Sequence, residues 1–145
     1  MMYLLDTNVV SELRKIQSGK ANNNVATWAN TVDASTLFLS VITIMELELG
    51  VLSMERKDPS QAMLLRTWLE QQVLPEFSAR ILFIDAAVAL RSAKLHVPNR
   101  WCSERDALIA TTALVHSMTV VTRNVSDFKP TGVNILNPWE FGLSS

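Results

Sequence analysis

Four carboxylates, Asp6, Glu46, Asp106 and Asp127, lie scattered along the 145 residues in contexts that a solvated surface explains poorly. Asp6 follows the apolar run MYLL directly and opens a helix, so it is either an N-cap or a site acid. Glu46 shares a helix face with Ser40, Thr43, Leu49 and Gly50, and periodicity does not separate it from its rival Glu48. Gly50, one turn on, would let a ligand or another backbone approach closely. Asp106 heads an apolar stripe of Ile109, Ala110 and Ala113, where an acid is costly unless it caps, pairs or binds a cation. Asp127 follows Asn124 in a polar segment and also suits a turn. Carboxylates that converge repel one another, and a bound cation resolves the repulsion. Ligation by oxygen alone suits Mg²⁺ or Mn²⁺ rather than zinc. Such cations serve phosphodiester hydrolysis, one acidifying an attacking water and a second stabilising the leaving oxygen.

The remaining acids have simpler explanations. Glu12, Asp33, Glu55, Asp58, Glu70, Glu76 and Glu140 fall in polar or helix-surface contexts. Asp85 is a natural helix cap, and Glu104 suits the positive end of a helix dipole. His96 and His116 each sit near a helix end, which leaves no pair for metal-free acid–base cleavage of RNA. No G-x-S-x-G elbow, P-loop or G-x-G-x-x-G occurs. The single cysteine, Cys102, excludes an internal disulfide and a cysteine-based zinc site, and reads as a packed thiol flanking a helix.

The elements that must position these acids alternate between strand and helix. The run MYLL reads as a strand, followed by a helix over about 9–15, the polar loop QSGKANNN and a second helix near 23–33. TLFLS is a strand ending on Ser40, which can cap a helix over roughly 42–54. Pro59 suits the first turn of the next helix, which ends before Pro75. RILFID reads as a buried strand, Asp85 caps the helix AAVALRSAKLHV, and Ser103 caps SERDALIATTALVH with capping-box spacing. MTVVT is a strand, RNVSDFKP a loop, VNIL a last strand and NPWEFGL a short tail.

This alternation predicts an α/β fold: one domain over 1–145, with a mostly parallel sheet and helices on both faces. In such sheets ligands bind outside the carboxyl ends of the strands, where both Asp6 and Asp127 should emerge. Hydrophobic residues make up 48%, enough for a core, and no apolar run reaches the length of a membrane helix. The N-terminus lacks the basic start of a signal peptide, so a soluble, cytoplasmic protein is expected. The formal charge of −1 permits RNA handling only through a local basic rim around an acidic site. Candidates for that rim are the loops 16–24 and 97–103, with Lys20, Arg100 and Trp101, together with Arg123.

On these residues the chain resembles a known family. YLLDTNVVSEL looks like the opening of PIN-domain proteins, in particular the VapC-type toxins of bacterial toxin–antitoxin pairs. SVITIMELELG is similar to their second motif and selects Glu46 over Glu48; RDALIATTAL and VVTRNVSDF resemble the third and fourth. The resemblance spans positions 3 to 128, with the motifs in the family's order. It implies a PIN fold and a Mg²⁺- or Mn²⁺-dependent endoribonuclease whose ligands are Asp6, Glu46, Asp106 and Asp127. Asn124 sits where some relatives keep an acid and can share the fourth role. Thr7, Asn8, Ser40 and Thr43 match polar residues that support the site, although each also fits a capping or backbone-bonding role. The implied partners are an RNA substrate (plausibly tRNA), a small antitoxin protein that blocks the site, a second copy of the chain, and operator DNA reached only through the antitoxin. The rival readings are a PIN-fold binding module without a working site, of which a missing carboxylate is the usual mark, and a DNA nuclease, which would tend to be longer.

Overall fold

The computed structural model describes residues 1–100 and 102–143, so the expectation for Trp101 lies outside the described residues. Its centre is a sheet of five parallel strands: β1 (Tyr3–Leu5), β2 (Leu37–Ser40), β3 (Ile81–Leu82), β4 (Thr119–Val121) and β5 (Ile135–Leu136). Their spatial order is β3-β2-β1-β4-β5. The chain moves outward from β1 through β2 to β3, then returns to the other side of β1 for β4 and β5. The direction of winding therefore reverses between β1 and β4, and in sheets of this kind ligands bind outside the carboxyl ends of the strands at such a point.

Parallel strands need long crossovers, and helices supply them on both faces. The elements are α1 (Thr7–Leu13), α2 (Asn23–Thr31), α3 (Val41–Lys57), α4 (Pro59–Trp68), α5 (Leu74–Phe77), α6 (Ala86–His96), α7 (Glu104–Val115) and α8 (Val125–Phe128). Side chains alternate across a strand, so successive residues of β1 feed different cores. Leu5 packs with Val9, Trp28, Leu39, Leu47 and Leu69 on one face, and Leu4 with Ile109, Ala110, Val120 and Phe128 on the other. β1 is thus sealed on both sides, as its apolar run requires. The caps expected from sequence form: Ser40 Oγ accepts from the Ile42 amide, Asp85 Oδ1 from Val88 and Ser103 Oγ from Asp106, at 3.1, 2.9 and 3.0 Å. Among the described residues, no helix is long and apolar enough to cross a membrane.

Four local expectations are corrected. The helix after Pro59 does not stop before Pro75; it runs through a π turn (Leu69–Val73) into α5. Proline lacks the amide for a bond one turn back, and a wider turn absorbs that loss without breaking the axis. RILFID contributes only Ile81–Leu82, and Phe83 is 76% exposed, because β3 is a short edge strand. RNVSDFKP is not a loop but contains α8, too short to carry a helical period. The short tail NPWEFGL closes back on the fold, where Trp139 packs on the core and its carbonyl accepts from Asn24 Nδ2 at 2.7 Å. Gly50 also departs from expectation, since a Cβ built there meets nothing within 4 Å.

Candidate active site

Asp6 leaves β1 with its backbone amide still donating to the Val121 carbonyl at 2.9 Å, so the ladder to β4 extends one residue beyond the strand. That register places Thr122 beside Asp6. The Thr122 hydroxyl donates to Asp6 Oδ2 at 2.7 Å, and Asn8 Nδ2 donates to the same oxygen at 3.3 Å. Oδ1 accepts from the Thr7 amide at 2.8 Å, which is the expected N-cap of α1. Asn8 also receives the Arg123 amide on its Oδ1, which ties the end of β4 to α1.

Glu46 reaches this corner from α3. Its Oε1 accepts from the Thr7 hydroxyl at 2.6 Å, and its Oε2 lies 3.5 Å from Arg105 Nη1. Glu48 points elsewhere: Arg66 of α4 grips both its oxygens, with Nη2 at 2.8 Å from Oε2, and holds it below the ordinary carboxylate range. Geometry therefore separates the two glutamates that periodicity left together.

Asp106 sits in the first turn of α7, its apolar companions Ile109, Ala110 and Ala113 fully buried. Burial pushes its carboxyl up to about 6, with repulsion from Asp6, Asp127 and Glu46 adding and a hydrogen bond with Ser103 opposing. Asp6 is raised for the same principal reason, burial, against the hydrogen bonds from Thr122 and Thr7; Glu46 and Asp127 add repulsion. Asp127, in α8, is near enough to act on both. The four acids thus feel one another across four elements of the fold.

The other sequence candidates divide. Thr7 and Asn8 contact the acids. Ser40 is fully buried and serves as the cap of α3. Thr43 is also buried; its hydroxyl donates to the Leu5 carbonyl at 3.5 Å, which docks α3 on β1. The Asn124 amide donates to Thr122 Oγ1 at 3.0 Å, and its side chain makes no cap. Arg123 stacks over the Trp139 ring at 5.1 Å from its centre. Sequence reasoning missed Thr122 and Arg105. Thr122 carried one signal, its place directly after β4, but that it faces Asp6 depends on the pairing of β4 with β1; Arg105 carried no signal beyond its place beside Asp106. His96 closes α6 and His116 caps α7, as expected for the negative ends of helices. Cys102 is buried, which pushes its thiol up.

The donor set fits a hard divalent cation. It is oxygen throughout, its anionic charge is raised in energy by burial and mutual repulsion, and polar hydrogens already orient Asp6 and Glu46. Among the described residues, no three acid, histidine or cysteine side chains stand close enough to form a closed ligand set.

The PIN domain model matches residues 3–131. The chain is 40% identical to the toxin FitB of Neisseria gonorrhoeae, over 95% of this chain and 99% of that protein. It is 35% identical to the VapC ribonuclease Y4jK of Sinorhizobium fredii, over 96% and 99%. A solved structure of FitAB bound to the IR36 DNA fragment superposes with a TM-score of 0.86 at 34% identity, covering 99% of this chain and 100% of that one. Matches of this extent, together with acids gathered where β1 and β4 end, place the chain in the PIN-domain family, on the branch of the VapC-type toxins.

Proposed function

We propose that the chain is a divalent-metal-dependent endoribonuclease that acts as the toxin of a bacterial toxin–antitoxin pair. The observation that carries this reading is the placement of Asp6, Glu46, Asp106 and Asp127 around the switch point, with Asp6 and Asp106 each raised by burial and by repulsion from Glu46 and Asp127. Asp6, Glu46 and Asp106 would hold Mg²⁺ or Mn²⁺, and Asp127 would complete the set, with Asn124 beside it. When bound, the cation supplies an acidified water and neutralises charge on a phosphodiester. The protein's own residues do the orienting. Thr122, Asn8 and the Thr7 amide fix both oxygens of Asp6, while the Thr7 hydroxyl holds Glu46. Arg123, at the same edge, offers a cation to the RNA backbone. The resemblance to VapC-type toxins points to tRNA as the RNA target.

The relatives support the partner. FitAB is a complex, and its structure on DNA suits a partner that reads the operator. In this chain a groove of about 170 Å³ lies beside α1, with Val10, Leu13, Trp68, Val73 and Phe77 as its apolar lining and Arg14, Gln17, Gln72 and Glu76 as its polar one. We take it as the seat of the antitoxin. The exposed Met45, Leu49 and Leu52 of α3 suit contact with a second copy. The test is expression of the chain alone, followed by mapping of new RNA ends. Growth arrest with discrete cleavage, lost in Asp6→Asn, supports the reading; arrest that survives Asp6→Asn, or purified protein equally active in excess EDTA, overturns it.

A further inference from the structure

Among the described residues, one basic side chain forms an ion pair with these acids, and its geometry is unlike that of the structural arginines. Arg66 grips both oxygens of Glu48 and lies within 3.5 and 3.7 Å of Glu55 and Glu70. Arg80 donates to the Leu37 carbonyl at 2.9 Å and to Glu76 at 3.1 Å, and stacks on Phe77. Among the described residues Arg105 pairs with Glu46 Oε2 alone, at 3.5 Å, and its side chain stays 47% exposed. A contact that long is attraction without a formed hydrogen bond, and it gives way easily.

Its position is also wrong for its own helix. Arg105 lies in the first turn of α7, where the dipole favours anions and disfavours a cation. Helix stability does not account for it. A polyanion does, because the guanidinium can chelate a phosphate through two N–H groups and offsets the Glu104 and Asp106 charges of the same turn. A divalent cation taken up by the carboxylates would also compete for Glu46 and repel the guanidinium at close range.

We propose that Arg105 is a phosphate-binding side chain of the RNA track, parked on Glu46 in the cation-free protein and released when a divalent cation takes that carboxylate. The proposal rests on the ribonuclease reading and adds to it a residue and an order of events. Arg105 thereby stands in for the cation in the resting site and becomes a substrate contact in the loaded one.

The test compares wild type, Arg105→Gln and Arg105→Lys. Mn²⁺ binding is titrated without RNA by electron paramagnetic resonance of the free ion. Removal of the competing charge should tighten Mn²⁺ binding several-fold in Arg105→Gln and leave Arg105→Lys near wild type. Cleavage of a labelled single-stranded RNA in saturating Mn²⁺ then gives kcat/KM against salt. Arg105→Gln should raise KM about tenfold and lower the salt slope by about one, the value of a single phosphate contact, with partial rescue by lysine. Equal or weaker Mn²⁺ binding in Arg105→Gln overturns the parking, and an unchanged salt slope overturns the phosphate contact. Failure of the ribonuclease reading has another signature, since wild type would then leave the RNA uncut whatever residue 105 is.

Discussion

The Thr122 hydroxyl and Asp6 Oδ2 meet at 2.7 Å inside the protein, joining the residue after β4 to the residue after β1. This bond lowers the energy of the Asp6 charge in a place where burial raises it. Thr122→Val keeps the shape and removes the donor. Cleavage and metal affinity should fall about 10- to 100-fold, the usual cost of losing an orienting partner. The fold should lose no more than about 1–3 kcal/mol, from an acceptor left short of a bond. Parallel measurement of Mn²⁺ affinity and chemical denaturation checks both.

Asp6→Asn and Asp106→Asn should each abolish cleavage while the metal-free protein keeps its melting temperature or gains a few degrees. Burial and mutual repulsion make these charges costly in the empty fold, and an amide of the same shape relieves that cost. A collapse of the melting transition in both variants would refute the idea that these acids are held at the expense of stability.

Asp106 also sets a pH dependence. Its folded-state value of about 6 lies above the ordinary 3.8, so the folded chain binds this proton more tightly than the unfolded chain. The contribution is complete below about pH 4 and is lost as pH rises through 6. After discounting for the half-buried position, the difference is about 1–2 kcal/mol. Glu12 and Glu48 are shifted the other way, by the Asn22 amide and by Arg66, and lose stability on acidification. Unfolding of wild type and Asp106→Asn from pH 4 to 8 should show the gap between them widening in favour of the variant toward neutral pH. Excess Mg²⁺ should reverse the sign, because it stabilises the ionised acid.

Gly50 lies inside α3, without the positive backbone angle that would demand glycine and with open space where a Cβ would stand. Gly50→Ala should therefore stabilise the protein by about 0.5–1 kcal/mol. Thermal unfolding reads this directly. A loss of stability would reveal a close approach that the fold does not show.

Much of this arrangement was legible from residue types. The alternation of apolar runs and amphipathic segments gave the parallel sheet, and Asp6 at the end of MYLL was marked by position alone. Glu46 was not. Distinguishing it from Glu48 depends on how α3 packs against α4, which puts Arg66, 18 residues on, against Glu48. No single-helix period contains that information; the motif resemblance supplied what the residues could not. Asp127 was misread as a loop residue because four residues of α8 show neither periodicity nor a side-chain cap. Thr122 was passed over because its role comes from the register of β4 on β1, a pairing between residues 116 positions apart.

That separation carries a consequence for the time at which the site is complete. The acids and their supports lie at positions 6, 46, 106, 122 and 127, and β1 meets β4 only after residues 119–121 exist. A nascent chain that has emerged only through α6 has a first strand with no neighbour on one side and lacks two of its four acids. Synthesis proceeds at about 5–20 residues per second, so most of the translation of these residues passes with no competent site. On the ribonuclease reading proposed above, a chain still on the ribosome gains cleaving power only when its last crossover has closed.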